Sequence, residues 1–477
     1  MPHAVDGVAV GQVVMPQSAE EIATILADAS QLGRAVIPVG GGTSLGLGNP
    51  PRGADLALST RALSQVIDYE PTDLVLSVGA GARFGDVQAV LSEHGQRLPL
   101  DPPGGDDATI GGLIATARWG PLRHSAGTLR DLLIGISVAH PSGTVTKAGG
   151  KVVKNVTGYD MPRLYHGSLG TLGVITSANF KVLPRPRAEA TLVGEYPTAE
   201  EAFATATRVR DSGDPTAALE VGFDGNRWLL ATRVEGREQT VRAIAGRIAQ
   251  TSGAGAALEQ DESAAWWARY VSGLDPAATP SEVSLRLGIR PRATRALVEG
   301  LLPVLGALNA NVTALSATPV VGSVLVRLNL GDGCAERLAE VQRIALDLAE
   351  SVTIIAAPPE WKQGSLLPPA PGPRTNSNEK NSISPTLQPF SPFSPNAAQQ
   401  LGQPQIPQAP NKSGLHPVQA PQAAGHMSGQ RRQQQPNREP SNDTLHTSLP
   451  PASRCMFRKD CDGSIGCSAR PQRVCTV

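Results

Sequence analysis

Apolar and polar positions along the chain follow three successive rhythms. From residue 13 to about 184, short apolar runs alternate with helical repeats and glycine-rich loops. "VVMP" (13–16) reads as a strand end. "SAEEIATILADASQLG" (18–33) has the spacing of an amphipathic helix, with Ser18 as its N-cap. "AVIPV" (35–39) reads as a buried strand and "DLVLSVGAG" (73–81) as another, followed by the helix "RFGDVQAVLSEHG" (83–95). "LLIGISVAHPSGTVTKAGG" (132–150) predicts a hairpin turning at Pro141-Ser142-Gly143. "GTLGVITSANFKVLPRP" (170–186) is a strand of period two running to a boundary at Pro184-Arg185-Pro186-Arg187.

From 188 to 363 the order becomes strand-helix-strand, strand-helix-strand, roughly twice over, from "ATLVGEYP" (190–197) to "VTIIAAP" (352–358). That order predicts two ferredoxin-like β-α-β modules sharing one antiparallel sheet, with helices on one face. From 364 to 477 the chain is rich in Pro, Gln and Ser and poor in Val, Ile and Leu. Such a segment buries too little apolar surface to offset its chain entropy and is expected to be a low-complexity, disordered tail. Three regions follow: 1–187, 188–363 and 364–477.

Composition narrows the function class. Formal net charge is zero over 477 residues, which gives no overall field for nucleic acid or an acidic membrane. No apolar run reaches the roughly 18 residues of a membrane-spanning helix. The start, "MPHAVDGVAVGQVVMP", lacks the basic-then-apolar order of a secretory signal. Five cysteines are too few for a disulfide scaffold, and only Cys334 lies before the tail. In the tail, Cys455, Cys461, Cys467 and Cys475 are spaced C-x5-C-x5-C-x7-C, which fits neither a zinc ribbon nor a ferredoxin cluster. A cytoplasmic protein is expected. Docking at the inner face of a membrane through a partner is left open.

The candidate chemistry begins at "PVGGGTSLGLG" (38–48). Gly40, Gly41 and Gly42 follow a strand directly, so backbone amides can approach a ligand closely, and Thr43 and Ser44 add hydroxyls. Such a nest suits a pyrophosphate, though a tight structural turn has the same composition. No Lys follows, so this is not a P-loop, and the spacing is not that of a Rossmann fingerprint.

Two further stretches, "LPLDPPGGDDATIGGLIATARWGPLRHSAGTLRDLLIG" and "GGKVVKNVTGYDMPRLYHGSLGTLGVIT", add to it. Together with "PVGGGTS" they resemble the flavin-binding domain of the vanillyl-alcohol oxidase/PCMH-type FAD-binding family. More narrowly they resemble the FAD-binding E subunits of bacterial glycolate oxidases. The resemblance runs from about Val13 to Trp361. It implies an α+β fold: a two-subdomain PCMH-type FAD-binding domain, then a smaller cap domain over the flavin ring. Carried over singly, Pro38, Gly40, Gly41, Gly42, Thr43 and Ser44 match the pyrophosphate loop. Pro103, Thr109, Gly111, Gly112 and Ala115 match the second FAD loop. Gly127 and Asp131 match the segment packed along the cofactor, and Gly173, Val174 and Ile175 the strand reaching the adenine side. In "KVVKNVTGYD", Lys151, Lys154, Asn155, Tyr159 and Asp160 are candidates for holding a substrate anion or the flavin N1 edge, or are a solvated loop between subdomains.

Departures from the family pattern matter equally. Covalent-flavin members carry His or Cys in these loops. Neither stands there in this chain, so noncovalent FAD is expected. Metal-assisted members carry closely spaced His in the cap. Residues 188–363 contain none, so no metal is expected and no catalytic base is evident. His124 and His166 lie near the FAD loops. The resemblance implies oxidation of glycolate to glyoxylate, with a catalytic FAD subunit and an iron–sulfur subunit as partners and quinone as electron acceptor. A self-sufficient FAD-dependent 2-hydroxy-acid dehydrogenase and a flavin-binding scaffold without turnover are the alternatives. Family members continue past the "APPEWK" position with a helix that returns to the flavin domain. Here the Pro/Gln/Ser-rich stretch stands instead, read either as a shifted reading frame or as a genuine linker.

Overall fold

The computed structural model describes residues 2–151, 159–274, 281–331 and 335–362. The expected tail, Cys334, Lys154 and Asn155 lie outside the described residues.

The first subdomain is a parallel three-stranded sheet in the order Gln12–Val14, Leu56–Ser59, Val36–Val39. Helix Ala19–Gln31 is the crossover. Ser18 caps it by accepting the Glu21 amide, and Ile22, Ala23, Leu26 and Ala29 turn inward. The fully buried strand is Leu56–Ser59 in the centre. Strand Val36–Val39, expected to be buried, is an edge strand of which only Val39 is buried. Its other residues are half-buried because they wall a cavity.

The second subdomain is a five-stranded antiparallel sheet. Its order is Val145–Gly149, Leu133–Ala139, Val174–Lys181, Val75–Gly79, Val66–Glu70. Helices Phe84–Ser92 and Ile110–Thr116 pack on it through Phe84, Val87, Leu91, Ile110 and Ile114, against Leu76, Val78 and Phe180. The hairpin turns where expected: His140 N–H donates to Thr144 O at 2.9 Å, and Gly143 takes φ +80°.

A new sheet of eight antiparallel strands starts at Ala188. Its order is Leu258–Glu259, Ala188–Tyr196, Trp228–Gly236, Ala218–Phe223, Asn311–Thr318, Ser323–Asn329, Glu282–Gly288, Ser351–Ala356. Each half is a β-α-β-β-α-β module, and the halves join edge to edge at the pair Ala218–Phe223 and Asn311–Thr318. Helices Ala199–Asp211, Glu238–Ser252, Thr294–Ala307 and Ala335–Leu348 share one core with the sheet and so cover one face. Period-two alternation sends Leu219 and Val221 into that core and Ala218 and Glu220 to the opposite face. Helix Gln260–Leu274 covers part of the opposite face, where Trp267 packs on Ala218 and Ala231 and donates its indole N–H to Thr191 Oγ1 at 2.7 Å.

The remainder of that face meets the flavin-type domain. Ser125 Oγ donates to Ala217 O at 2.9 Å, and His124 Nε2 lies 2.9 Å from Thr216 Oγ1. Arg97 pairs with Glu235 across the junction. This arrangement holds a glycine-lined cavity and a polar junction close to each other.

Candidate functional site

A cavity of about 390 Å3 opens between the two subdomains. Edge strand Val36–Val39 forms one wall, and loop 40–44, Thr109–Ala115 and Gly173–Ile175 form others. The glycines are required by contact rather than by φ alone. A β-carbon on Gly40 would lie 2.0 Å from Thr109 Oγ1, and one on Gly41 2.1 Å from the Asp107 carbonyl oxygen. Thr109 Oγ1 accepts the Gly41 amide at 3.3 Å, which sews the two loops together.

Two arginines hold the loop from its carbonyl side. Arg61 donates from Nε to Gly40 O and from an η-nitrogen to Gly41 O, each at 3.1 Å. Arg118 donates to Thr43 O at 3.0 Å and Ser44 Oγ at 3.1 Å. Among the described residues, no protein acceptor takes the backbone N–H groups of Gly42, Thr43 and Ser44. Fixed cations, spare amides and two loops in contact are the donor set a pyrophosphate needs.

Thr43 also lines a second groove, of about 1220 Å3, that runs between the flavin-type domain and the cap. Pro102, Gly104 and Gly105 form one side, and Glu189, Arg233, Trp267 and Val271 the other. Arg233 is sandwiched between Glu189 at 2.5 Å and Glu235 at 3.1 Å. Asp101 accepts the Leu122 amide at 3.0 Å, yet burial pushes its carboxyl up to about 7.

On the far side of segment 119–122 lies a crevice of about 20 Å3, lined by Trp119, Glu220, Arg286, Ser316 and Thr318 among others. The guanidinium carbons of Arg123 and Arg286 sit 4.2 and 4.8 Å from the Trp119 ring centroid. Glu220 accepts from Thr318 Oγ1 at 2.6 Å and Ser316 Oγ at 2.9 Å, with Tyr270 OH at 3.5 Å. Burial outweighs these bonds and pushes its carboxyl up to about 8.

The sequence candidates divide cleanly by position. Pro38, Gly40, Gly41, Gly42, Thr43, Ser44, Thr109, Gly111, Gly112, Ala115, Gly173, Val174 and Ile175 line the one cavity. Pro103 does not. Its neighbours Pro102 and Gly104 face the groove while Pro103 is buried beneath them. Gly127 and Asp131 do not line it either. Asp131 Oδ2 accepts the N–H and hydroxyl of Thr128 as a capping box for helix Leu129–Leu132, and Gly127 supplies the turn before it at φ +76°. Nor is Lys151, Tyr159 or Asp160 brought there. Lys151 pairs with Asp68 on the surface, Asp160 with Arg163 at 2.6 Å, and Tyr159 is 92% exposed. Among the described residues no group of three or more His, Cys, Asp or Glu could hold a metal, and no helix is long and apolar enough to cross a membrane.

Sequence reasoning passed over Arg61, Arg118, Glu220 and Arg286. No spacing signal marks them, because their partners are loop carbonyls or side chains on other elements.

Comparison with known proteins agrees with this geometry. Residues 10–149 match the family described as FAD binding domain. The chain is 38% identical over 198 residues to glycolate oxidase subunit GlcE of Escherichia coli (strain K12), covering 41% of this chain and 55% of that one. It is 32% identical over 208 residues to glycolate oxidase subunit GlcD of Bacillus subtilis (strain 168), covering 44% of each. It is also 32% identical over 226 residues to a D-lactate dehydrogenase of Archaeoglobus fulgidus, covering 46% of this chain and 51% of that one. The chain thus spans about half the length of the curated relatives it matches. Among solved structures, alkyldihydroxyacetonephosphate synthase superposes with a TM-score of 0.55 at 17% identity, over 71% of each chain. That likeness is one of fold. The cofactor is FAD.

Proposed function

We propose that the chain is the FAD-binding subunit of a glycolate-oxidising complex, acting in the conversion of a small 2-hydroxy acid to the 2-oxo acid. The observation that carries the reading is the glycine cavity. Three segments distant in sequence meet there with spare amides and two arginines behind them. Bound FAD supplies the two-electron acceptor. The protein's part is to hold the pyrophosphate on loop 40–44 and to keep the junction with the cap shielded from solvent. No His, Cys or Tyr lines the cavity among the described residues, which supports noncovalent attachment.

The substrate class is taken from the relatives, two named as glycolate oxidase subunits and one as a D-lactate dehydrogenase. The partners belong to the same proposal: a catalytic FAD subunit and an iron–sulfur subunit that passes electrons toward quinone. The buried junction around Glu220 and Arg286 favours, as a second reading, turnover by this chain alone. An absorbance spectrum of the purified full chain tests both. The subunit reading expects a yellow protein that releases FAD on denaturation, and bleaching by glycolate only with the partners present. Bleaching by glycolate alone selects the second reading. A protein that stays colourless after incubation with FAD overturns both.

A further inference from the structure

We propose that Glu220, Ser316 and Tyr270 form a proton path from the crevice at the junction of the two domains, entered at Thr318, to a pocket on the outside of the cap. The path rests on the 2-hydroxy-acid reading for the source of its proton. Converting a hydroxy acid to the oxo acid gives up two electrons and two protons. Both electrons leave with the carbon-bound hydrogen as a hydride, and the hydroxyl proton has to leave separately. The crevice beside Trp119 holds about 20 Å3, room for about one water molecule, so side chains must carry the proton onward.

The chain of groups is continuous. Thr318 lines the crevice, and its Oγ1 lies 2.6 Å from Glu220 Oε1. Glu220 Oε2 is 2.9 Å from Ser316 Oγ, and Tyr270 OH donates to Ser316 Oγ at 2.9 Å. Glu220, Ser316 and Thr318 are buried. Tyr270 is half-buried and lines a pocket of about 200 Å3 at the end of helix Gln260–Leu274, where Asp224, Arg269 and Gly273 are exposed. Ser316 lines both this pocket and the crevice. The titratable groups facing Glu220 are Tyr270 on that helix, Asp101 on the flavin-type domain and Arg286 across the crevice. Burial, with the Asp101 charge adding to it, leaves Glu220 largely neutral at pH 7. A protonated carboxyl donates from one oxygen and accepts at the other. A proton taken at Oε1 from Thr318 is therefore matched by one given from Oε2 to Ser316 and on to Tyr270. One proton enters, one leaves, and no charge stays in the interior. A glutamine bonds the same hydroxyls but has no such proton to pass.

The test uses the full chain and reads the proton itself. In infrared spectra at pH 7, the carboxylic-acid C=O band missing from Glu220→Gln belongs to Glu220. Its shift on mixing into D2O times the exchange of that proton with solvent. Exchange should be slower than in wild type by at least about tenfold in Tyr270→Phe, and likewise in Ser316→Ala. Tyr196→Phe, whose hydroxyl donates to Ser252 O elsewhere in the cap, should match wild type. Thr318→Val cuts the path on the crevice side only, so its Glu220 should still exchange fast. A second measurement takes the FAD-loaded chain, reduced with dithionite and then oxidised with ferricyanide, which accepts electrons and no proton. A pH dye should report delayed proton release in Thr318→Val and Glu220→Gln, with flavin content unchanged. Exchange as fast as wild type in both Tyr270→Phe and Ser316→Ala overturns the path. So does a spectrum in which Glu220→Gln removes no such band, or undelayed release in both Thr318→Val and Glu220→Gln. Bleaching of the flavin by glycolate alongside any of these leaves the 2-hydroxy-acid reading standing. Slowed exchange and delayed release, with no bleaching by glycolate or lactate with or without partners, uphold the path and remove that reading instead.

Discussion

Gly41 has no room for a β-carbon. The atom it would meet is a backbone oxygen, that of Asp107 at 2.1 Å, which no side-chain rotation can move aside. Gly41→Ala must therefore separate loop 40–44 from the segment that carries Thr109, break the Gly41–Thr109 bond and widen the cavity. We expect a cost of about 1–3 kcal/mol in stability, as for other overpacked sites, and loss of bound flavin. Gly53→Ala is the control. Its added methyl would meet only the Ala35 β-carbon at 3.7 Å, so colour should be retained. The ratio of flavin absorbance to protein absorbance after purification reads both. At this scale the glycines were legible because a run of them after a strand has few other uses. Arg61 and Arg118 were not. An arginine reveals its role only through its partner, and these partners are carbonyls some 20 and 75 residues away.

Helix Leu129–Leu132 is short enough that its cap decides its stability, and the cap is the box formed by Thr128 and Asp131. Asp131 was read from the sequence as a residue packed along the cofactor. Its hydrogen bonds give it a structural task, and the two roles make different predictions. Asp131→Ala should lower stability by about 1 kcal/mol, as lost N-caps do, and leave the FAD content and dissociation constant unchanged. Thermal melts and a flavin titration decide. The larger elements of the cap could be read because each β-α-β-β-α-β half carries both periodicities in sequence. Helix Gln260–Leu274 was missed. It buries only Ser263, Trp267 and Val271, too thin a stripe to stand out. Strand Leu56–Ser59 was missed for a different reason. A fully buried strand shows no alternation, and four residues after "PPRGAD" give no length to argue from. The second FAD stretch was read as a loop, whereas Thr109 opens the helix Ile110–Thr116. Gly111 and Gly112 concealed that helix, and Gly111 is there because a β-carbon would come within 2.9 Å of Ala80.

The two domains meet over acids that hold their protons unusually well. Glu220 is 1% exposed, and burial raises its carboxyl from 4.5 to about 8, helped by the nearby Asp101. The folded protein therefore binds this proton more tightly than the unfolded chain does. The stability that belongs to the protonated form is fully present below pH 4.5. It is lost progressively as pH rises through about 8, after which the loss is constant. Glu220→Gln removes that dependence while its amide can still bond the hydroxyls of Ser316 and Thr318. The melting temperatures of variant and wild type should lie closest near pH 4. They should separate in the variant's favour from about pH 5 to 8 and run parallel above that. Asp101→Asn should show the same sign with a smaller span. Its carboxyl is raised only to about 7 and it is more exposed, so solvent screens part of the effect. Melting curves from pH 4 to 9 measure both. A wild-type curve parallel to that of Glu220→Gln across the whole range would mean that Glu220 is ionised in the folded state.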